Sequence, residues 1–302
     1  MQSRSLDGGL TWDNIPAPLI SPGSMGISAD EHMSNPLGPV GGRVNPPMPH
    51  PGGIDFTHPD FALLYARTGL RAGAESWFYT STDRCLSWNG PFTLQMFDQL
   101  GIAARTDYLT DGPDAATVFL SATKHDGEEG RVFCARTSNG GRSFEFVSWL
   151  REEPTGFDIM PASLRLDDGA IITALRTRDA SGGNDAIDLM RSDDNGESWS
   201  LVSTPAPSTG NGGNPPAMIR LMDGRIYLIY GYRDEPYGIH AVLSDDNGAS
   251  WNEPVVLRDD GGNHDIGYPR SVQRADGQVV TVYYYNDSPE GERYIAATIW
   301  KP

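Results

Sequence analysis

The sequence predicts an all-β protein made of repeated four-stranded antiparallel units. Three observations carry that prediction: an eight-residue motif that recurs, a second repeat out of phase with it, and a lack of long helical periodicity. SDDNGESW at 192–199 returns almost unchanged as SDDNGASW at 244–251. Looser copies are SLDGGLTW at 5–12, STDRCLSW at 81–88 and TSNGGRSF at 137–144. The shared pattern is a small hydroxyl residue, then Asp or Asn two places on, usually a Gly, and a closing Ser or Thr before an aromatic. The second repeat is PASLRLDDG at 161–169, PAMIRLMDG at 216–224 and PRSVQRADG at 269–277. Short apolar runs such as AIITALRT, RIYLIYGY and QVVTVYYY read as half-buried or buried strands, and 35 Gly and 23 Pro punctuate the chain.

Combining the two repeats gives one unit: strand, Asp-Gly turn, strand, loop, strand, motif, strand. Asp-Gly suits a tight hairpin, where positive φ is required of the turn residues. Four antiparallel strands in about fifty residues is the signature of a β-propeller blade. The motif then has a mechanical job. Its Asp or Asn (Asp7, Asp83, Asn139, Asp194 and Asp246) accepts backbone N–H bonds within the turn, the Gly turns the chain, and the aromatic fills the gap beside it. A residue repeated around a ring is scaffold and not a unique nucleophile. The motif also lacks the terminal acidic ligand of a calcium loop. Five blades are countable. The N-terminal strand either completes the last blade and closes a ring of five, or belongs to a first blade of six whose other strands are missing. The reading is a single propeller domain over 1–302, interrupted by a Pro/Gly-rich insertion at about 13–58.

Composition narrows the function classes. A formal charge of −17 excludes nucleic acid as a general partner and requires any anionic ligand to find a local, preorganised cationic pocket. Of 23 basic residues only Lys124 and Lys301 are lysines, and the guanidinium fork of arginine pairs a carboxylate bidentately. Cys85 and Cys134 are too few for a disulfide framework and have no metal-like spacing, so neither metal nor organic cofactor is expected. No eighteen-residue apolar run and no signal peptide stand in the chain. At face value this predicts no membrane association and a cytoplasmic protein, or an exported one should the N-terminus be incomplete. A monomer is expected.

The five motifs on four-strand units resemble the sialidase (neuraminidase) superfamily and its relatives with Asp-box, or BNR, repeats. That resemblance implies a propeller over nearly the whole chain. It also implies an exo-glycosidase that releases a terminal acidic sugar such as sialic acid from a glycan. Such enzymes use three arginines on the substrate carboxylate, a tyrosine nucleophile activated by a glutamate, and an aspartate acid/base. Carried over residue by residue, Tyr268 in DIGYPRS stands where the nucleophile would be. Arg233 in GYRDEPYGIH and Arg176 in ALRTRDAS match the third and second arginines. Asp158 in GFDIMP takes the place of the activating glutamate, and Glu292 that of a late glutamate steadying an arginine. The family's first arginine and its acid/base aspartate precede the first box, where this chain has four residues; Arg43 and Asp30 are the candidates to replace them. In a propeller, Tyr268, Asp158, Arg176 and Arg233 are expected to converge on one face.

His264 and Asp265 adjoin Tyr268. Asp265 is a further candidate substrate contact, and His264 a candidate acid/base. With His264 or Tyr268 as base, the same scaffold would serve a lyase acting on uronate-containing polysaccharide. A carbohydrate-binding propeller without chemistry is the third reading. His240 reads as a strand residue, and the Gly-rich segments at 181–185, 210–214 and 259–263 as turns, without the strand–helix context of a phosphate loop.

Overall fold

The computed structural model describes residues 2–23, 43–183 and 185–302. Asp30, with the middle of the 13–58 insertion, lies outside the described residues. Every regular element among those described is a β-strand. They divide between two compact units, one of Met1–Gln2 and Ile15–Glu153, the other of Ser3–Asn14 and Pro154–Pro302.

The chain opens with a short hairpin, β1 (Gln2–Arg4) and β2 (Asp13–Ile15). In the first unit β3 (Ala62–Arg67), β4 (Ser76–Ser81) and β5 (Asn89–Thr93) form a three-stranded sheet. A four-stranded sheet follows: β6 (Ile102–Thr110), β7 (Ala116–Thr123), β8 (Glu129–Thr137) and β9 (Glu145–Trp149). The second unit holds two more four-stranded sheets. They are β10 (Phe157–Arg165), β11 (Ile171–Arg178), β12 (Asp185–Ser192) and β13 (Ser200–Ala206), then β14 (Ala217–Arg220), β15 (Ile226–Tyr232), β16 (Gly238–Ser244) and β17 (Val255–Arg258). Three strands close the chain: β18 (Gly267–Gln273), β19 (Val279–Tyr285) and β20 (Tyr294–Trp300). Neighbours in sequence are neighbours in each sheet and run antiparallel, which is the blade pattern of a β-propeller.

The expected order of strands, turn and box is present, while in the Asp-Gly turns only the glycines Gly169, Gly224 and Gly277 take positive φ. The Asp-Gly turn at 168–169 joins β10 to β11, and the box at 192–199 joins β12 to β13. Second strands such as β7 and β11 are buried along nearly their whole length, which explains their continuous apolar runs: both faces of the sheet are covered. The core lies between consecutive sheets. Ile172, Ile187 and Leu189 of one sheet meet Leu228, Tyr230 and Val242 of the next, and Tyr227 and Ile229 meet Val279 and Tyr283. In the first unit Phe78 packs with Val118, Leu120 and Phe133.

Each box is a self-capped turn. Asp194 accepts the Ser198 N–H at 2.9 Å and the hydroxyls of Ser198 and Ser192, while Trp199 donates its ring N–H back to the Gly196 carbonyl. Asp246 repeats this with Ser250, Ser244 and Trp251. Asn139 does the same work uncharged, accepting from the Ser143 N–H and the Thr137 hydroxyl. The box glycine is fixed from outside as well. Gly248 has φ +88° and lies against Leu189 of the preceding sheet. Gly9 of the N-terminal hairpin lies in the same way against Val280 and Ile299 of the last sheet, and Arg274 donates to the Gly8 carbonyl. The hairpin therefore meets the last sheet by box packing, while β18–β20 remains a three-stranded ladder among the described residues.

Two predictions follow from the box. A methyl group at Gly248 meets both the positive φ and Leu189, whereas the turn glycine Gly224, φ +93°, has open space around its missing Cβ. Gly224→Ala should cost about 1–2 kcal/mol of backbone strain and Gly248→Ala about 1–3 kcal/mol more, read by urea unfolding; equal costs would remove the packing role. The carboxyls of Asp83, Asp194 and Asp246 are held down to about 2 by hydrogen bonds from the serines of their own turns, against an ordinary 3.8. Because the folded value lies below the unfolded one, their stabilisation is complete above about pH 4 and is lost as pH falls toward 2. Replacing Asp194 with Asn, as nature does at Asn139, should shallow the acid limb of the stability–pH curve.

Candidate functional site

Within the second unit, two first strands carry the same irregularity. The β10–β11 register shifts between Ile159 and Ala162, and the β18–β19 register between Gly267 and Arg270. At each bulge the residue before a proline adopts left-handed backbone: Met160 at φ +55° and Tyr268 at φ +54°. Positive φ at a bulky residue costs free energy and persists only where the surroundings impose it. A bulge also re-aims the side chain it carries. Tyr268 is the one so displayed, 38% exposed, whereas Met160 is buried.

Arg233 follows β15 and is only 9% exposed. Its Nε and Nη2 donate to the Ile266 carbonyl at 3.2 and 3.0 Å, and Nη2 also donates to the Tyr284 hydroxyl at 2.7 Å. Tyr284 in turn donates to Asp265 Oδ1 at 2.8 Å, and Arg293 Nε holds Asp265 Oδ2 at 2.7 Å. The Tyr268 ring lies over this chain, 5.5 Å from the Tyr284 ring and 5.8 Å from the Arg233 guanidinium carbon. Burial raises the Tyr284 phenol, the Asp265 carboxylate adds to the rise and the Arg233 charge opposes it, so Tyr284 stays a neutral donor. Burial also works to raise Asp265, but the bond from Tyr284 and the charge of Arg293 outweigh it, and the carboxyl ends below its ordinary value.

A second arginine group stands on β11. Arg176 directs Nη1 at the Met160 sulfur (3.7 Å) and Nη2 at the Gly212 carbonyl, and is as buried as Arg233. Two residues on, Arg178 forms a bidentate pair with Asp185 at 2.8 and 2.9 Å, and Asp185 also accepts the Gly212 N–H. Asp158 is buried on β10 and opposite Thr177 in the ladder. The loop 209–214, with its segment 210–214 read from sequence as a simple turn, joins the two groups: Gly212 meets Arg176 and Asp185, while Thr209 accepts the Arg233 N–H. Its glycines are required by close approach, since a Cβ on Gly210 would enter the Arg233 backbone and one on Gly213 would lie 2.9 Å from Asp185.

The structure thus brings Arg233, Asp265 and Tyr268 together and places Asp158 and Arg176 on the sheet two earlier. His264 and Glu292 are exposed, and the residue that reaches Asp265 from the late loop is Arg293 and not Glu292. Arg43 lies in the other unit, where it pairs with Glu75 at 2.7 Å. His240 is the strand residue it was read as, stacked 4.7 Å from Tyr232. Sequence reasoning missed Tyr284, Asn214 and the Arg178–Asp185 pair, whose partners are set by sheet packing; the clustered glycines before Asn214 were the one local signal. Among the described residues no cluster of His, Cys, Asp or Glu is arranged to hold a metal ion, and no helix is long and apolar enough to cross a membrane.

Residues 60–281 match the BNR repeat-like domain, and the chain belongs to that family. No curated protein matches it. Among solved structures it is similar to a protein of unknown function from Dyadobacter fermentans, with 23% identity and a TM-score of 0.67 over 83% of this chain and 77% of that one. A thermostable family-43 glycoside hydrolase shares 17% identity at TM-score 0.54, over 84% of this chain and 92% of that one. A Hadza microbial sialidase shares 16% identity at TM-score 0.59, over 82% of this chain and 55% of that one. At these identities the likeness is one of fold alone.

The Arg178–Asp185 pair gives the prediction of this region. Asp185→Ala strands Arg178 and the Gly212 N–H together, and should lower stability by about 2–3 kcal/mol, less than a fully buried pair because Arg178 is partly exposed. Urea unfolding measures it, and a loss below about 0.5 kcal/mol would reduce the pair to a surface contact.

Proposed function

We propose that this chain is a glycosidase-type propeller of sialidase character, acting on a terminal sugar that bears a carboxylate. One observation carries the reading. Arg233 is a buried guanidinium whose direct partners, among the described residues, are a carbonyl and a phenol, both neutral. Burying a cation with its nearest carboxylate, Asp265, held off by one phenol leaves its direct anion position open, and such a site is prepared for an anion. Arg176 is the second contact to the substrate carboxylate, and Asp265 and Glu292 steady the arginines or meet sugar hydroxyls.

Tyr268 is then the nucleophile. The carboxylate at the reacting carbon repels an anionic side chain, so a phenol deprotonated by Asp158 as it attacks is the better group. The new bond joins the phenolic oxygen to the anomeric carbon, and the bond to the leaving oxygen breaks as that oxygen gains a proton. His264 is the candidate proton donor. Water then attacks the anomeric carbon, its hydroxyl staying on the sugar and its proton restoring the general acid, while the proton held by Asp158 returns to the departing phenolate.

A fluorogenic sialoside beside an arabinofuranoside tests this directly. The sialoside should be turned over, Tyr268→Phe should lower kcat by ~10³-fold or more, and Arg233→Ala should lower kcat/KM by ~10–100-fold, the worth of a charged hydrogen bond. Undiminished turnover by Tyr268→Phe excludes the tyrosine mechanism. Turnover of the arabinofuranoside alone excludes the carboxylate clamp.

A further inference from the structure

We infer that Asn214 is a positioning residue: its buried amide holds Tyr268 in its left-handed conformation and fixes the carbonyl that anchors Arg233. The inference rests on the reading of Tyr268 and Arg233 as the reacting and binding groups.

Asn214 is fully buried, between the loop 209–213 and β14. Its Oδ1 accepts two backbone N–H groups, those of Gly231 and Tyr268, each at 3.1 Å. Its Nδ2 donates to the Ile266 carbonyl at 2.7 Å. The orientation of the amide is forced, because reversing it would set its NH2 against two N–H donors and its oxygen against a carbonyl. Its own backbone N–H is tied to Thr209 at 3.2 Å. One side chain therefore connects three backbone groups from two sheets.

Two of those groups belong to the site. The Tyr268 N–H sits on the bulge, where register with β19 is lost, so the amide of Asn214 supplies the acceptor there. The Ile266 carbonyl is the same oxygen that receives Arg233 Nε and Nη2. The glycines around it are explained by the same amide. A Cβ on Gly231 would lie 2.9 Å from Asn214 Nδ2, and one on Gly267, at φ +112°, would overlap the amide. A buried asparagine that only satisfied itself would require neither glycine nor the shared carbonyl.

The test compares Asn214→Ala with Asn214→Asp, whose carboxyl, kept protonated by burial against the Ile266 carbonyl, keeps an oxygen facing the Gly231 and Tyr268 N–H groups and an O–H facing that carbonyl. Nitration with tetranitromethane, followed by peptide mass analysis, reads the display of Tyr268 against Tyr294, which is similarly exposed at 39% on β20 and serves as an internal reference. In the Ala variant the Tyr268:Tyr294 ratio should depart from wild type; in the Asp variant it should stay there. Where the wild type turns over sialoside, the Ala variant should lose about 100-fold in kcat, the scale of a small misplacement, and the Asp variant should recover most of it. A folded Ala variant with the wild-type nitration ratio overturns the inference. If the Ala variant does not fold, a folded Asp variant with an altered ratio overturns it, and one with the wild-type ratio supports it. Absence of turnover in the wild type rejects the sialidase reading alone, because nitration still reports on the position of Tyr268.

Discussion

Three donors converge on one oxygen, the carbonyl of Ile266: Nε and Nη2 of Arg233 and Nδ2 of Asn214. Much else in the second unit is arranged so that this can happen. The carbonyl precedes Gly267 and the bulge, so the backbone must turn sharply just after it, and Tyr268 takes the positive φ that results. The guanidinium is held in plane by a neutral acceptor and makes no direct hydrogen bond to a carboxylate among the described residues. Had Asp265 approached Arg233 directly, the pair would have neutralised itself. Tyr284 stands between them and separates the carboxylate from the cation by one phenol.

The boxes solve a different problem with similar means. In each, one carboxylate or amide gathers the donors of its own turn, so the capping is local and its cost in ordering is small. The site gathers donors across sheets, and it can do so because the sheets are already fixed by layers such as Ile187 and Leu189 against Leu228 and Val242. Local chemistry makes the blade and packed blades make the site.

This difference decides what was legible in the sequence. The strand–turn–strand–box order, the Asp-Gly hairpins and the mechanical role of Asp194 and Asp246 could be read because each depends on residues within a few places of one another. Tyr268 and Arg233 could be singled out by their position in a repeat and by family resemblance. Asn214 and Tyr284 could not, since a buried amide or phenol is recognised only by the groups brought to it from residues far along the chain. The late loop shows the limit clearly: Glu292 was read there as steadying an arginine, and the contact of its neighbour Arg293 with Asp265 could not be read, because residue type alone does not determine which loop residue meets which partner.

Net charge also takes on a different meaning beside this geometry. A chain of −17 repels an anionic sugar at a distance, yet exposed charges act over only about 8 Å at physiological ionic strength. Most surface arginines are spent on the acidic surface itself: Arg191 sits between Asp168 and Asp193, Arg258 is paired with Asp260, and Arg225 with Asp223. Arg233 is kept out of that exchange by its burial and by the neutral groups that hold it. Its field is the less screened one, because the medium around it is protein and not salt water. On the proposed reading, an anion at the Tyr268 face meets this short-range field of Arg233 after crossing the diffuse repulsion of the acidic surface. A ligand with one terminal carboxylate would gain that contact once, as would a polyanion, but the polyanion would be repelled by the acidic surface along its whole length.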